Sequence, residues 1–242
     1  MREPKWADEI REAILELGGV ASLEDIYTKL VERNVRSRTA NWKDTVRDAI
    51  QQHSSDSKSY RGINNYFYSV YGKGKGIWGV RDVVTPEVKK NLNSLFEETR
   101  EFELEELIQQ GTDEEIEQLI NNYSGLGSQA KIEVKEGLQK IRKASKVIID
   151  KLKELYDYSC QICGINPSSI YGVNIVEAHH IEYFSVSQNH NPNNIMILCP
   201  NHHRLVHSAK AKYCREKNKV VYENGYEEVL KLEKHLLVRK DN

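Results

Sequence analysis

The chain has 242 residues, 39% hydrophobic and 29% charged, which points to a soluble protein with room for two small domains. No apolar run approaches the ~20 residues a membrane span needs, and Met1-Arg2-Glu3-Pro4-Lys5-Trp6 lacks the apolar stretch of an export signal. A cytoplasmic protein with no membrane partner is therefore expected. The formal net charge of −1 argues against a nonspecific polycation, yet it sums +2 over residues 1–85, −8 over 86–128 and +5 over 129–242. Two mildly basic ends flank an acidic middle, and a local basic face is sufficient for nucleic acid.

In chain order, residues 7–18 put Ile10, Ala13, Ile14 and Leu17 on one helical face, and Gly18-Gly19 end that helix. Ser22 with Asp25 forms a capping box, with Asp in place of Glu. It opens a second helix with Leu23, Ile26, Tyr27, Leu30 and Val31 inward. Asn41 is the expected cap of a third helix that buries Trp42, Val46, Ala49 and Ile50 and turns Lys43, Arg47 and Gln51 outward. Tyr66 to Tyr71 is rich in strand formers. A Gly-Lys-Gly-Lys-Gly turn over 72–76 leads to a returning strand over 77–81.

Three helices followed by a β-hairpin with a basic, glycine-rich tip resemble the winged helix-turn-helix domains fused to many restriction-type enzymes. The resemblance implies that the third helix enters the major groove and the wing follows the backbone. Lys43, Arg47 and Gln51 would then face bases or phosphates, Lys73 and Lys75 would lie along the backbone, and Arg36 and Arg38 would grip phosphate. A winged helix that mediates only protein contacts is the alternative.

Residues 86–130 are read as an acidic helical connector, with apolar positions at Leu92, Leu95, Phe96, Phe102, Leu104, Leu107, Ile108, Ile116, Leu119 and Ile120. Packing between domains and dimerisation are both open for it. A long helix is expected over 130–156, with Ile141, Ala144, Ile148, Leu152 and Leu155 inward.

All four cysteines lie beyond residue 159. Clustered cysteines without an export signal point to metal, not disulfides. Cys160-Gln-Ile-Cys163 is followed after 35 residues by Cys199-Pro-Asn-His202. Two such knuckles can grip one tetrahedral zinc with three thiolates and an imidazole, a closed and therefore structural set. Cys214 remains as an ordinary thiol.

Glu177-Ala-His179-His180-Ile181, Asn194-Ile-Met-Ile-Leu-Cys199 and His203-Arg-Leu-Val-His207 complete the pattern. With the knuckles, residues 152–208 strongly resemble the HNH endonuclease superfamily and its ββα-metal fold, the three letters falling on His180, Asn194 and His203. Val173 to His179 and Asn194 to Leu198 would pair as antiparallel strands. A helix starting at Pro200 would present His203 and His207 on one face at i and i+4. His179, His203 and His207 can then reach one catalytic cation, Mg²⁺ or Mn²⁺. The resemblance implies that His180 is the general base, that Asn194 ties down the loop, and that Arg204 contacts phosphate. His190 is expected to be a solvated loop residue. Lys219 to Tyr222 reads as a strand, and a short helix is expected around Glu227–Leu237.

The expected architecture is therefore α+β: a winged helix over 1–85, a connector over 86–130, and an HNH domain with a structural zinc and a C-terminal extension over 131–242. The expected function is restriction-type endonuclease action on double-stranded DNA by a homodimer, with dependence on methylated bases left open. The rival from another class is a winged-helix DNA-binding regulator carrying an inactive, zinc-stabilised HNH fold.

Overall fold

The computed structural model describes residues 5–70 and 74–236. The chain divides into two compact units, one made of 1–91 and 127–144, the other of 92–126 and 145–242. This division departs from the boundaries expected at residues 85 and 130. Most of the acidic stretch belongs to the same unit as the cysteine and histidine motifs.

The first unit contains α1 (Trp6–Glu16), β1 (Val20–Ser22), α2 (Leu23–Arg33), α3 (Trp42–Gln52), β2 (Phe67–Ser69) and β3 (Ile77–Val80). Its core gathers Ile10, Ile14, Ile26, Leu30, Val46, Ile50 and Phe67, the apolar stripes of the three helices closed by the sheet. Gly18 and Gly19 end α1 at φ of +100° and +89°, in the left-handed region. A Cβ on Gly19 would also lie 3.0 Å from the Ala144 Cβ, so the turn has no room for a side chain. The Ser22–Asp25 capping box forms as expected and starts α2. Asn41 precedes α3 but makes no side-chain cap, a correction to the sequence reading. The antiparallel sheet has the order β1-β3-β2, with Val20 opposite Gly79 and Phe67 opposite Val80.

The second unit holds α5 (Glu101–Gln110), α6 (Asp113–Asn122), α8 (Pro167–Tyr171), β4 (Glu177–His180), α9 (Phe184–Ser187), β5 (Ile195–Leu198) and α10 (Pro200–Ser208). A three-stranded sheet of β6 (Lys212–Cys214), β7 (Lys219–Val221) and β8 (Glu227–Val229) follows. Two helices, α4 (Pro86–Glu97) and α7 (Ser128–Leu155), contribute residues to both units. β4 and β5 pair antiparallel, with Glu177 opposite Leu198 and His180 opposite Ile195. Pro200 is the first residue of α10, where its missing N–H is no loss. Strand β4 is shorter than the run from Val173 that the sequence suggested.

The helix expected around Glu227–Leu237 does not form. Residues Glu227–Val229 instead pair with β7, Lys219 opposite Val229. Beyond them the N–H groups of Lys231 and Leu232 both donate to the Gln161 carbonyl, at 2.9 and 3.1 Å. An available sheet edge and a fixed carbonyl on the cysteine knuckle satisfy this backbone, so its helical apolar spacing is overridden. Leu237 lies outside the described residues. Among the described residues, no helix is long and apolar enough to cross a membrane.

Candidate metal centres

Cys160, Cys163, Cys199 and His202 converge, with ligand atoms all within 4.8 Å of one another. The His202 Nδ1 lies 3.6 Å from the Cys160 Sγ and 3.3 Å from the Cys199 Sγ. A tetrahedral ion with bonds of about 2.0 Å to nitrogen and 2.3 Å to sulfur needs such separations. At the far edge of the ring, Nε2 lies 3.6 Å from Glu228 Oε1, so a carboxylate stands behind the imidazole outside the cluster. Burial pushes the Cys160 thiol up to about 12. A group so reluctant to ionise alone fits a site in which a cation stabilises the thiolate. Gln161 ties this knuckle to β5: its backbone N–H donates to the Ile197 carbonyl at 2.9 Å, and its side-chain oxygen accepts from the Ile197 N–H at 2.8 Å.

A second cluster lies between β4 and α10. His179 Nδ1 is 3.1 Å from His207 Nε2, and His203 Nε2 is 3.3 Å from the same atom. Two ring nitrogens are thus held close to a third, at the edge length of a small coordination polyhedron. Outside it, His203 Nδ1 lies 2.5 Å from Glu177 Oε2, the same carboxylate-behind-histidine arrangement. The donor set and its outer support fit a bound cation.

The strand and helix positions come from the sequence. Glu105, at the centre of the cluster, does not. It projects from α5 and is fully buried. Its Oε2 lies 2.7 Å from His203 Nε2, 2.8 Å from His207 Nε2 and 3.6 Å from His179 Nδ1. Its Oε1 accepts from the His180 backbone N–H at 2.6 Å and from His180 Nδ1 at 3.0 Å. Burial alone would raise the Glu105 carboxyl, but the surrounding imidazoles of His179, His180 and His203 hold it well below the usual carboxylate range. Burial pulls His179 down. It acts the same way on His203, but Glu105 and Glu177 outweigh it and raise that imidazole to about 9.

Two more side chains on the same face of α5 engage this unit. The Gln109 amide pairs with the Ala178 backbone, accepting from its N–H and donating to its carbonyl, both at 2.8 Å. Glu101 accepts from the backbone N–H groups of Phe184 and Ser185 at the start of α9. Phe102 lies against the rings of His203 and His207, centroids 5.4 and 5.7 Å away. A usable signal for this face existed in the sequence: Glu101, Glu105 and Gln109 share the spacing of the apolar stripe through Leu104 and Ile108, so polar groups sit where a connector should bury only apolar ones.

Asn194 is buried and donates to the Glu182 and Asn189 carbonyls while accepting from the Glu182 N–H. His190, expected in solvent, is buried, 2.6 Å from the Ser145 Oγ and packed against the Phe184 ring, centroids 4.4 Å apart. Burial, with His180 close by, holds it well below the usual histidine range. The long α7 supplies the serine that anchors it, which local polarity could not show.

Arg204 is exposed on α10, and Cys214 is half-buried in β6. In the first unit, Lys43 and Arg47 are exposed on α3, and Gln51 is half-buried. Lys43 Nζ sits 4.7 Å above the Tyr27 ring, and Arg47 pairs with Asp44. Arg38 is exposed and half-buried Arg36 stacks on Trp6 at 4.7 Å, while Lys75 is exposed beside β3. Lys73 lies outside the described residues.

Residues 160–209 match the family model of HNH endonuclease domains. No curated protein and no solved structure matches the chain.

Proposed function

We propose that this protein is a metal-dependent DNA endonuclease whose chemistry resides in the segment that matches the HNH endonuclease domain. The observation that carries this reading is the convergence of His179, His203 and His207 on one point, with His180 beside it. Cys160, Cys163, Cys199 and His202 hold a structural zinc that fastens the knuckles to β5 and α10. His179, His203 and His207 hold the catalytic cation. Three imidazoles favour a transition-metal ion, so Mn²⁺ ranks ahead of Mg²⁺. Such a cation supplies positive charge to the phosphate and to the leaving 3′ oxygen.

His180 is the general base, taking the proton of the attacking water. Asn194 keeps the chain after β4 in place, since one side chain binds both the N–H and the carbonyl of Glu182. Arg204 reaches phosphate from the exposed side of α10. We assign site choice to the first unit, as a winged helix with α3 as its reading helix. The element order and the β1-β3-β2 sheet support this. Lys43, Arg47 and Gln51 would contact the groove, with Arg36, Arg38, Lys73 and Lys75 on backbone. A restriction role, with or without a requirement for methylated bases, follows from that division. Cutting both strands requires two centres or two visits, which favours a homodimer.

The test is nicking of supercoiled plasmid, methylated and unmethylated, with Mn²⁺ or Mg²⁺ restored after chelation. Wild-type protein should nick, and His180→Ala should lose at least ~10²-fold in rate while still binding DNA. Equal rates would remove His180 from the chemistry. Binding without cleavage under every cation would establish the regulator instead.

A further inference from the structure

A catalytic cation site keeps a position open for substrate, whereas a site closed by four protein ligands is structural. Glu105 closes the histidine cluster: His179, His203, His207 and Glu105 form a single four-ligand group, and His179, His203 and Glu105 are buried. The same carboxylate binds the base, because Oε1 takes both the N–H and the Nδ1 of His180. One oxygen therefore lies among the cation ligands while the other lies on the proposed base. A scissile phosphate and the water attacking it would have to occupy those same two places.

His180 has no exposed surface, and its Nε2 has no hydrogen-bond partner among the described residues. Its remaining ring neighbours are Phe184 and His190, with centroids 5.3 and 5.5 Å away. Nδ1 is thus the nitrogen beside the cluster, and Glu105 occupies it. With α5 seated, no phosphate reaches the base.

We propose that α5 is an internal substrate mimic: the Glu105 carboxylate stands in the place of the DNA phosphate, and DNA must displace α5 before it is cut. This inference rests on the nuclease reading above. Besides the buried Leu104 and Ile108, the helix is tied by polar contacts at both ends, Glu101 on the start of α9 and Gln109 on the edge of β4, which DNA would have to break to displace it. Its charge is of the right kind, since the stretch 86–128 carries net −8. DNA and α5 compete for the same cationic place, so the free protein rests in the closed state and cleavage is throttled by the open fraction.

Apparent affinity falls in proportion to the competent fraction, and a minor state is typically populated at 10% or less. Removing the mimic should therefore tighten DNA binding and raise cleavage by about tenfold or more. The test uses the full chain with Glu105→Ala, Glu105→Gln and Gln109→Ala, the last loosening α5 without touching the histidines and keeping the test open should the Glu105 variants fail to fold. Three readouts are compared: cation stoichiometry, affinity for a short duplex in a His180→Ala background, and plasmid nicking. The expected result is retention of the second cation by Glu105→Ala, tighter duplex binding, and faster nicking by all three variants. Loss of that cation together with slower nicking, or a Gln109→Ala rate at or below wild type with unchanged affinity, would overturn the mimic and make Glu105 an obligatory ligand. Tighter binding with no nicking by any variant would uphold the mimic and overturn the nuclease reading.

Discussion

Replacing Asn194 by Asp tests how the loop after β4 is held. The substitution conserves size and keeps the acceptor that takes the Glu182 N–H at 2.8 Å. It converts an amide that donates to the Glu182 carbonyl at 2.9 Å and the Asn189 carbonyl at 3.0 Å into a carboxylate oxygen facing both. Two hydrogen bonds at roughly 0.5–1.5 kcal/mol each are lost, and a charge is buried with one donor left to it, so a deficit of about 3 kcal/mol is expected at neutral pH. Asn194→Ala loses all three bonds and should cost about 2–3 kcal/mol. The two variants separate by pH. Protonation of the aspartate returns one donor, so its folded-state pKa must lie above the ordinary value of about 4, and its deficit must shrink as the solution is acidified through that range. The alanine deficit has no such dependence. Urea unfolding of wild type and both variants at neutral and mildly acid pH gives the comparison directly. Parallel pH behaviour of the two variants, or a neutral-pH Asn194→Asp as stable as wild type, would refute the assignment of these three bonds.

If the Cys160–Cys163–Cys199–His202 cluster holds the structural zinc proposed above, Cys160→Ser and Cys199→Ser should lose it and lower the unfolding temperature, because structural zinc contributes folding free energy directly. His203→Ala should keep that zinc, measured by metal content on the purified variants, while losing the second cation. In chelator-treated protein, His203 is raised from 6.5 to about 9 by Glu105 and Glu177 in spite of its burial. Its contribution, up to about 3 kcal/mol, is fully present below about pH 6.5 and lost as pH rises through 9. The metal-free form should therefore lose stability across that window, and a chelated protein equally stable at both ends would exclude the pairing. Lys43→Ala and Arg47→Ala should each weaken binding to preferred DNA, by roughly 1–3 kcal/mol where the contact is a bidentate base pair and uniformly across sequences where it is a phosphate. Gel-shift titrations on preferred and random duplexes read the difference, and unchanged affinity for both would take α3 out of the interface.

Several features that depend only on neighbours in sequence were located by the sequence alone, although the expected Asn41 side-chain cap does not form. The two knuckles are four-residue turns, the pair His203 and His207 is one helical turn, and the Ser22–Asp25 box joins a cap to its own first turn; in each, local backbone geometry fixes the distance. The antiparallel pairing of β4 with β5 was also legible from the motifs that the two strands carry, but its register, His180 opposite Ile195, came only with the fold. Three features were settled elsewhere. The segment after Glu227 carries helical spacing but joins a sheet edge, since β7 and the Gln161 carbonyl satisfy its backbone groups. His190 reads as a polar loop residue but is buried, since Ser145 gives it a partner. Glu105 reads as one of many solvated acids in a connector, yet it lies 75 residues from His180 and 98 from His203 and touches both. A carboxylate this buried is stable only where donors and imidazoles surround it, and those come from β4 and α10. Local pattern states which residues are able to carry chemistry, while long-range packing decides which of them meet.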